Sequence, residues 1–281
     1  MPAVLSAQEG WIDAHVHVWT DDLARYPLAE GFRKEQMKPA TFTPEELFAH
    51  ARPCGVSRIV LIQMSYYRFD NSYMLDTIAR FPGVFRGVAV IDAGATDVRN
   101  QMLALKGKGV TGFRIGAGLE APGMAAMWAC GAEEGLAMCP LINPDALPAL
   151  DRMCAKFPET PVVIDHFARI GADGQVREED LERLCALGRY PKTHVKVSAF
   201  YALGRKQHPY TDLLPMIRRL LDAYGAERLM WATDSPFQVQ GGHTYSGSIE
   251  LVRDRLEGIS DADRRWLLGK TAERVFFSDR P

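Results

Sequence analysis

Eight short apolar runs, separated by stretches of helical period, constrain this chain of 281 residues more than any other feature. The runs are Trp11–Val18, Ser57–Met64, Val84–Ile91, Val110–Ile115, Ala137–Ile142, Pro161–Phe167, His194–Phe200 and Arg228–Thr233. Most are continuous apolar or β-branched stretches bounded by Gly, Pro or polar residues, as expected of strands covered on both faces. Thr43-Pro44-Glu45-Glu46 opens the first intervening helix, with Thr43 as cap, Pro44 at the first helical position and Glu46 completing a capping box. Further helical patterns cover Asn71–Phe81, Asp97–Lys106, Pro122–Glu134, Asp145–Phe157, Glu178–Leu187 and Asp212–Tyr224, and Ser260–Phe277 reads as one or two terminal helices. Strands alternating with helices build parallel βαβ units. Eight of them in one domain spanning 1–281 predict an α/β fold, a closed (β/α)8 TIM barrel. No glycine fingerprint follows the first run, and Gly116-Ala117-Gly118 reads as turn glycines, so an open dinucleotide-binding sheet is disfavoured. The longest irregular stretch, residues 20–40, is a loop insertion after strand one, expected on the rim and in a substrate-covering role.

Composition narrows the partners. A net charge of −2 argues against general nucleic-acid binding. No run of about 18 apolar residues exists, so no transmembrane helix is expected. Met1–Gly10 lacks the basic and apolar regions of a secretory signal. The five cysteines form no CxxC pair and read as reduced packing residues of a cytoplasmic protein. The expected partner is a small molecule, neither nucleic acid nor membrane; a homo-oligomer is left open, since no residue pattern speaks to it.

In a barrel the strand C-termini meet at one mouth, so polar residues there are candidates for chemistry. Side chains two apart on a strand share a face, which groups Asp13, His15 and His17 on strand one. The same period turns Val162, Ile164 and His166 inward on strand six, leaving Asp165 outward, and groups Met230, Ala232 and Asp234 on strand eight. Singly, each has a bland explanation: a solvated strand end, a satisfied buried histidine, a turn residue before Pro236. Together, three imidazoles and one carboxylate at matching strand ends form a metal-and-base cluster of His15, His17, His166 and Asp234. Arg114 ends strand four, Arg169 follows His166, and Lys196 lies within strand seven. Guanidinium groups grip carboxylates with two parallel bonds, so these cations fit a carboxylated substrate, ion pairs with rim acids being the alternative. Gln63, Ser65 and Tyr66 are candidates to hydrogen-bond substrate oxygens, and His243 is close enough in sequence to strand eight to touch substrate.

The stretches Asp13-Ala14-His15-Val16-His17-Val18-Trp19, Arg25-Tyr26-Pro27, Ile164-Asp165-His166, Val195-Lys196-Val197-Ser198 and Trp231-Ala232-Thr233-Asp234-Ser235-Pro236 occur in this order. In that order and placement the chain resembles the amidohydrolase superfamily, in the amidohydrolase 2 branch of TIM-barrel hydrolases that holds sugar lactonases and 2-pyrone-4,6-dicarboxylate lactonase. Leu61-Ile62-Gln63-Met64-Ser65 with Asp70-Asn71 is similar to the pyrone-dicarboxylate subgroup. The resemblance implies water attack on a lactone of a sugar acid or a pyrone- or muconolactone-type intermediate. Asp234 matches the aspartate that takes a proton from water. His15, His17 and His166 match positions that bind a divalent metal or polarise the carbonyl directly. Strands four and five end in Phe113-Arg114-Ile115 and Leu141-Ile142-Asn143, without the extra ligand of many metal-using relatives. A binuclear site is therefore not expected; one zinc or manganese is, with a metal-free site as the rival. The alternatives are a non-oxidative decarboxylase of the same superfamily and a non-catalytic ligand-binding barrel.

Overall fold

The computed structural model describes residues 10–116 and 118–278. The readings for residues 1–9, and for Ala117 within its glycine pair, lie outside the described residues. Eight parallel strands form one sheet in sequential order: β1 (Trp11–Val16), β2 (Val56–Ile62), β3 (Phe85–Ala89), β4 (Val110–Ile115), β5 (Ala137–Pro140), β6 (Val162–Ile164), β7 (Thr193–Val197) and β8 (Leu229–Trp231). The ring closes where Asp234 N donates to His15 O at 2.9 Å and His17 N to Ser235 O at 2.8 Å. The expected (β/α)8 barrel is therefore what the chain forms.

The connecting helices are α1 (Pro44–Ala51), α2 (Ser72–Arg80), α3 (Val98–Lys106), α4 (Met124–Glu134), α5 (Leu147–Lys156), α6 (Glu178–Ala186), α7 (Leu214–Tyr224), α8 (Tyr245–Glu250) and α9 (Asp261–Arg265). The reciprocal Thr43–Glu46 box caps α1 as its sequence requires. Thr244, whose side chain accepts from Gly247 N, starts α8, an element the periodicity left unmarked because its apolar face is so short. Among the described residues no helix is long and apolar enough to cross a membrane.

Two apolar layers build the core. One lies between strands and helices; the other fills the barrel with Ile12, Ala14, Val60, Val88, Val163 and Met230, closed underneath by Phe276 of the C-terminal segment. Strand β1 corrects a simple alternation. Asp13 pairs with Ile59 but Val16 with Leu61, so three residues of β1 face two of β2. This bulge shifts the phase of the side chains. Ile12 and Ala14 point into the barrel, Val16 points out, and Asp13 turns outward to α8, away from His15 and His17.

Candidate active site

The strand C-termini surround a cavity of about 770 Å³, within the usual range of small-ligand sites. His17, His166, Asp234, Gln63, Ser65, Arg114 and Arg169 line it, as expected from sequence. His15 lies directly beneath, fully buried. Three expected substrate contacts lie elsewhere. Tyr66 packs against Trp19 and donates to Gln36 O at 2.9 Å; His243 Nδ1 pairs with Tyr210 OH at 2.7 Å; Lys196 has no exposed surface. None of residues 20–40 lines the cavity. That segment instead braces the loop after β2, with Ala29 N donating to Tyr66 O at 2.8 Å, because Tyr66 and its neighbours offer it an apolar seat.

Four catalytic candidates do converge. Asp234 Oδ1 lies 3.4 Å from both His15 Nε2 and His17 Nε2, the two nitrogens are 3.3 Å apart, and His166 Nε2 is 3.8 Å from Asp234 Oδ2. Backbone turns create this geometry. Asp234 takes a left-handed φ of 68°, and residues 166–169 all have φ between 51° and 59°, a region non-glycine residues occupy only when their surroundings enforce it. Strand β6 therefore stops at Ile164, two-residue alternation fails, and Asp165 turns inward with His166 instead of facing out.

Neighbouring groups fix the protons. His17 Nδ1 lies 2.9 Å from Ile62 O. A carbonyl only accepts, so Nδ1 carries a proton, and in the neutral ring Nε2 presents a lone pair. His166 Nδ1 is held by Ser198 Oγ at 2.8 Å. Burial keeps His166 below its usual pKa despite the nearby carboxylates, and burial with the Lys196 ammonium keeps His15 far below its own, so both are neutral at pH 7. Burial alone would raise the Asp234 carboxyl, but the surrounding imidazoles of His166, His17 and His15 outweigh it and hold it below the usual carboxylate range. Tyr201 OH donates to Asp234 Oδ2 at 2.7 Å; burial and the carboxylate push its own pKa up, so it stays a donor.

Asp234 Oδ1 is buried without a hydrogen-bond partner while facing two imidazole nitrogens, one of them a lone pair. That donor set fits one divalent cation. His15, His17 and Asp234 offer ligand atoms within 4.8 Å of one another, and so do His15, Asp165 and His166. The second group already holds a positive charge, because Lys196 Nζ stands 2.9 Å from Asp165 Oδ1. The first group is thus the cation candidate.

Sequence reasoning missed Tyr201, Arg68 and Lys206, which line the cavity, and Asp165 beneath it. Tyr201 and Lys206 sit in the loop after β7, and Arg68 in the loop after β2. Their position past a strand C-terminus was the available signal.

A barrel with imidazoles and a carboxylate at its C-terminal mouth is the architecture of a hydrolase that activates water. Residues 12–277 match the family described as Amidohydrolase, and the chain belongs to that family. It is 28% identical over 293 residues to L-fucono-1,5-lactonase of Burkholderia ambifaria, covering 96% of each chain. It is 29% identical over 278 residues to 4-sulfomuconolactone hydrolase of Hydrogenophaga intermedia, covering 94% of this chain and 88% of that one. The crystal structure of an amidohydrolase from Burkholderia multivorans with bound zinc shares the fold, with a TM-score of 0.78, 20% identity and coverage of 95% and 99%.

Proposed function

We propose that this protein hydrolyses a lactone bearing an acidic substituent, with Asp234 as general base. The observation that carries the reading is the asymmetry of that carboxylate. Oδ2 is held by Tyr201, while Oδ1 is buried without a hydrogen-bond partner, 3.4 Å from both His15 Nε2 and His17 Nε2. The lactone hydrolases among its relatives support the reaction class.

In this reading the Asp234 carboxylate takes a proton from water as the water oxygen adds to the ester carbonyl. The tetrahedral carbon then releases the ring oxygen, which recovers the proton from Asp234, and a hydroxy acid leaves. Tyr201 keeps the carboxylate oriented through both transfers. A divalent cation, zinc or manganese, would be held by His15, His17 and Asp234 with His166 facing them, and supplies Lewis acidity that polarises an ester carbonyl and eases deprotonation of water. Arg114, Arg169, Arg68 and Lys206 give the cavity a cationic wall. Among the described residues Arg169 and Arg68 have no ion-pair partner, and Arg114 reaches only Asp165, at 3.8 Å. Guanidinium groups without a close ion pair suit a carboxylate or similar anion, which supports an acidic substituent on the substrate. The five cysteines are all free thiols, in keeping with a cytoplasmic enzyme.

The test is Asp234→Asn assayed on a panel of acidic and neutral lactones. General-base loss lowers kcat/KM at least ~100-fold with circular dichroism unchanged. Near-wild-type turnover would remove Asp234 from the mechanism.

A further inference from the structure

Beneath the catalytic histidines lies a pair of charges with no access to substrate. Lys196 and Asp165 both have no exposed surface, and the Lys196 ammonium stands over the Phe276 ring at 5.8 Å. A buried ion pair is a weak source of stability, since apolar residues of similar volume serve as well or better. The pair therefore invites a reason in what it touches, which is His15.

His15 Nδ1 has two neighbours that demand opposite protonation. Lys196 Nζ, which can only donate, is 3.2 Å away in hydrogen-bonding geometry. Asp165 Oδ1, which can only accept, is 3.3 Å away and also ion-paired with Lys196 Nζ at 2.9 Å. One nitrogen carries either a proton or a lone pair, so only one of the two can hydrogen-bond to it at a time. The choice is transmitted across the ring to Nε2. When Nδ1 accepts from Lys196, Nε2 carries the proton and donates towards His17 Nε2 or Asp234 Oδ1, at 3.3 and 3.4 Å. When Nδ1 donates to Asp165, Nε2 is bare, and three lone pairs converge on one point that only a cation can stabilise.

We propose that Lys196 and Asp165 are positioning residues that set the tautomer of His15, Lys196 favouring the cation-free form and Asp165 the cation-bound form. The proton lost from Nε2 is matched by one gained at Nδ1, so His15 stays neutral in both forms. Lys196 thereby opposes a divalent ion at His15, His17 and Asp234, and Asp165 favours it. The inference rests on the cation-site part of the proposed function and is independent of which ester is opened.

Two measurements test it without reference to turnover. In metal-stripped wild-type protein labelled with 15N-histidine, long-range 1H–15N spectra should show His15 protonated at Nε2, changing to Nδ1 on adding zinc. Finding Nδ1–H before zinc is added would overturn the proposal. Competition with a chromophoric chelator should show zinc bound ~10-fold or more tightly by Lys196→Met and ~10- to 100-fold more weakly by Asp165→Asn, the range for groups that orient a metal-binding histidine. Unchanged or weakened affinity in a folded Lys196→Met protein refutes it. Should Lys196→Met not fold, the charge-neutral double variant Lys196→Met/Asp165→Asn must lose the zinc-dependent change of His15 tautomer. Its retention refutes the proposal. Zinc binding by none of the folded proteins would refute the cation site itself, while the spectra of the metal-stripped protein still decide the tautomer.

Discussion

Asp13 joins β1 to the turn after β8 and to α8 through one fully buried carboxylate. Oδ1 accepts from His15 N at 3.1 Å and Thr233 N at 3.0 Å; Oδ2 accepts from Thr233 Oγ1 at 2.5 Å and Tyr245 OH at 2.7 Å. Burial nonetheless prevails over these four donors and raises the Asp13 pKa from 3.8 to about 6. Between those values the folded protein binds a proton that the unfolded chain has lost. Stability from this group is therefore complete below about pH 4 and is lost as pH rises through 6. The gap of roughly two pH units corresponds to about 3 kcal/mol. Asp13→Asn keeps the shape and one acceptor oxygen, while its amide faces hydroxyls that can turn to accept. Relative to wild type, the variant should gain stability by about 3 kcal/mol between pH 4 and pH 7, or roughly 6–12 °C in Tm for a chain of this size. Thermal melts of both proteins across that range, followed by circular dichroism, read the difference directly. A difference that stays constant with pH would refute the reasoning, because it would mean that Asp13 has the same proton occupancy folded and unfolded.

Two kinetic predictions accompany it. Tyr201→Phe removes the 2.7 Å hydrogen bond to Asp234, worth about 1.5–3 kcal/mol for a bond to a charged group. kcat on an acidic lactone should fall ~10- to 100-fold with a smaller change in KM, and an unchanged kcat would show that Asp234 needs no such support. Arg169→Met should raise KM for acidic lactones ~10-fold or more while leaving a neutral lactone nearly unaffected; equal effects on both would mean that Arg169 does not read charge.

The barrel and most of its catalytic cluster were legible in the linear chain because they depend on local rules. Continuous apolar runs alternating with capped helical patterns leave few topologies, and polar residues at the ends of such runs must meet at one mouth. That logic located His15, His17, His166 and Asp234 together, along with Arg114 and Arg169 on the cavity wall. It erred where the backbone departs from regular alternation. The bulge in β1 turned Asp13 out, and the left-handed residues after Ile164 turned Asp165 in. It also placed Lys196 in contact with substrate, although the barrel interior covers it completely.

The amino-acid pattern alone thus determined the architecture and the residue types that gather at its open end, since period and polarity act between near neighbours in sequence. Tertiary structure alone decided that His17 Nδ1 faces a carbonyl, which oxygen of Asp234 is left without a donor, and that a lysine and an aspartate share the space beneath His15. Those outcomes rest on differences of an ångström or less between groups far apart in the chain, such as His15 and Lys196, and no local rule of propensity or spacing encodes them.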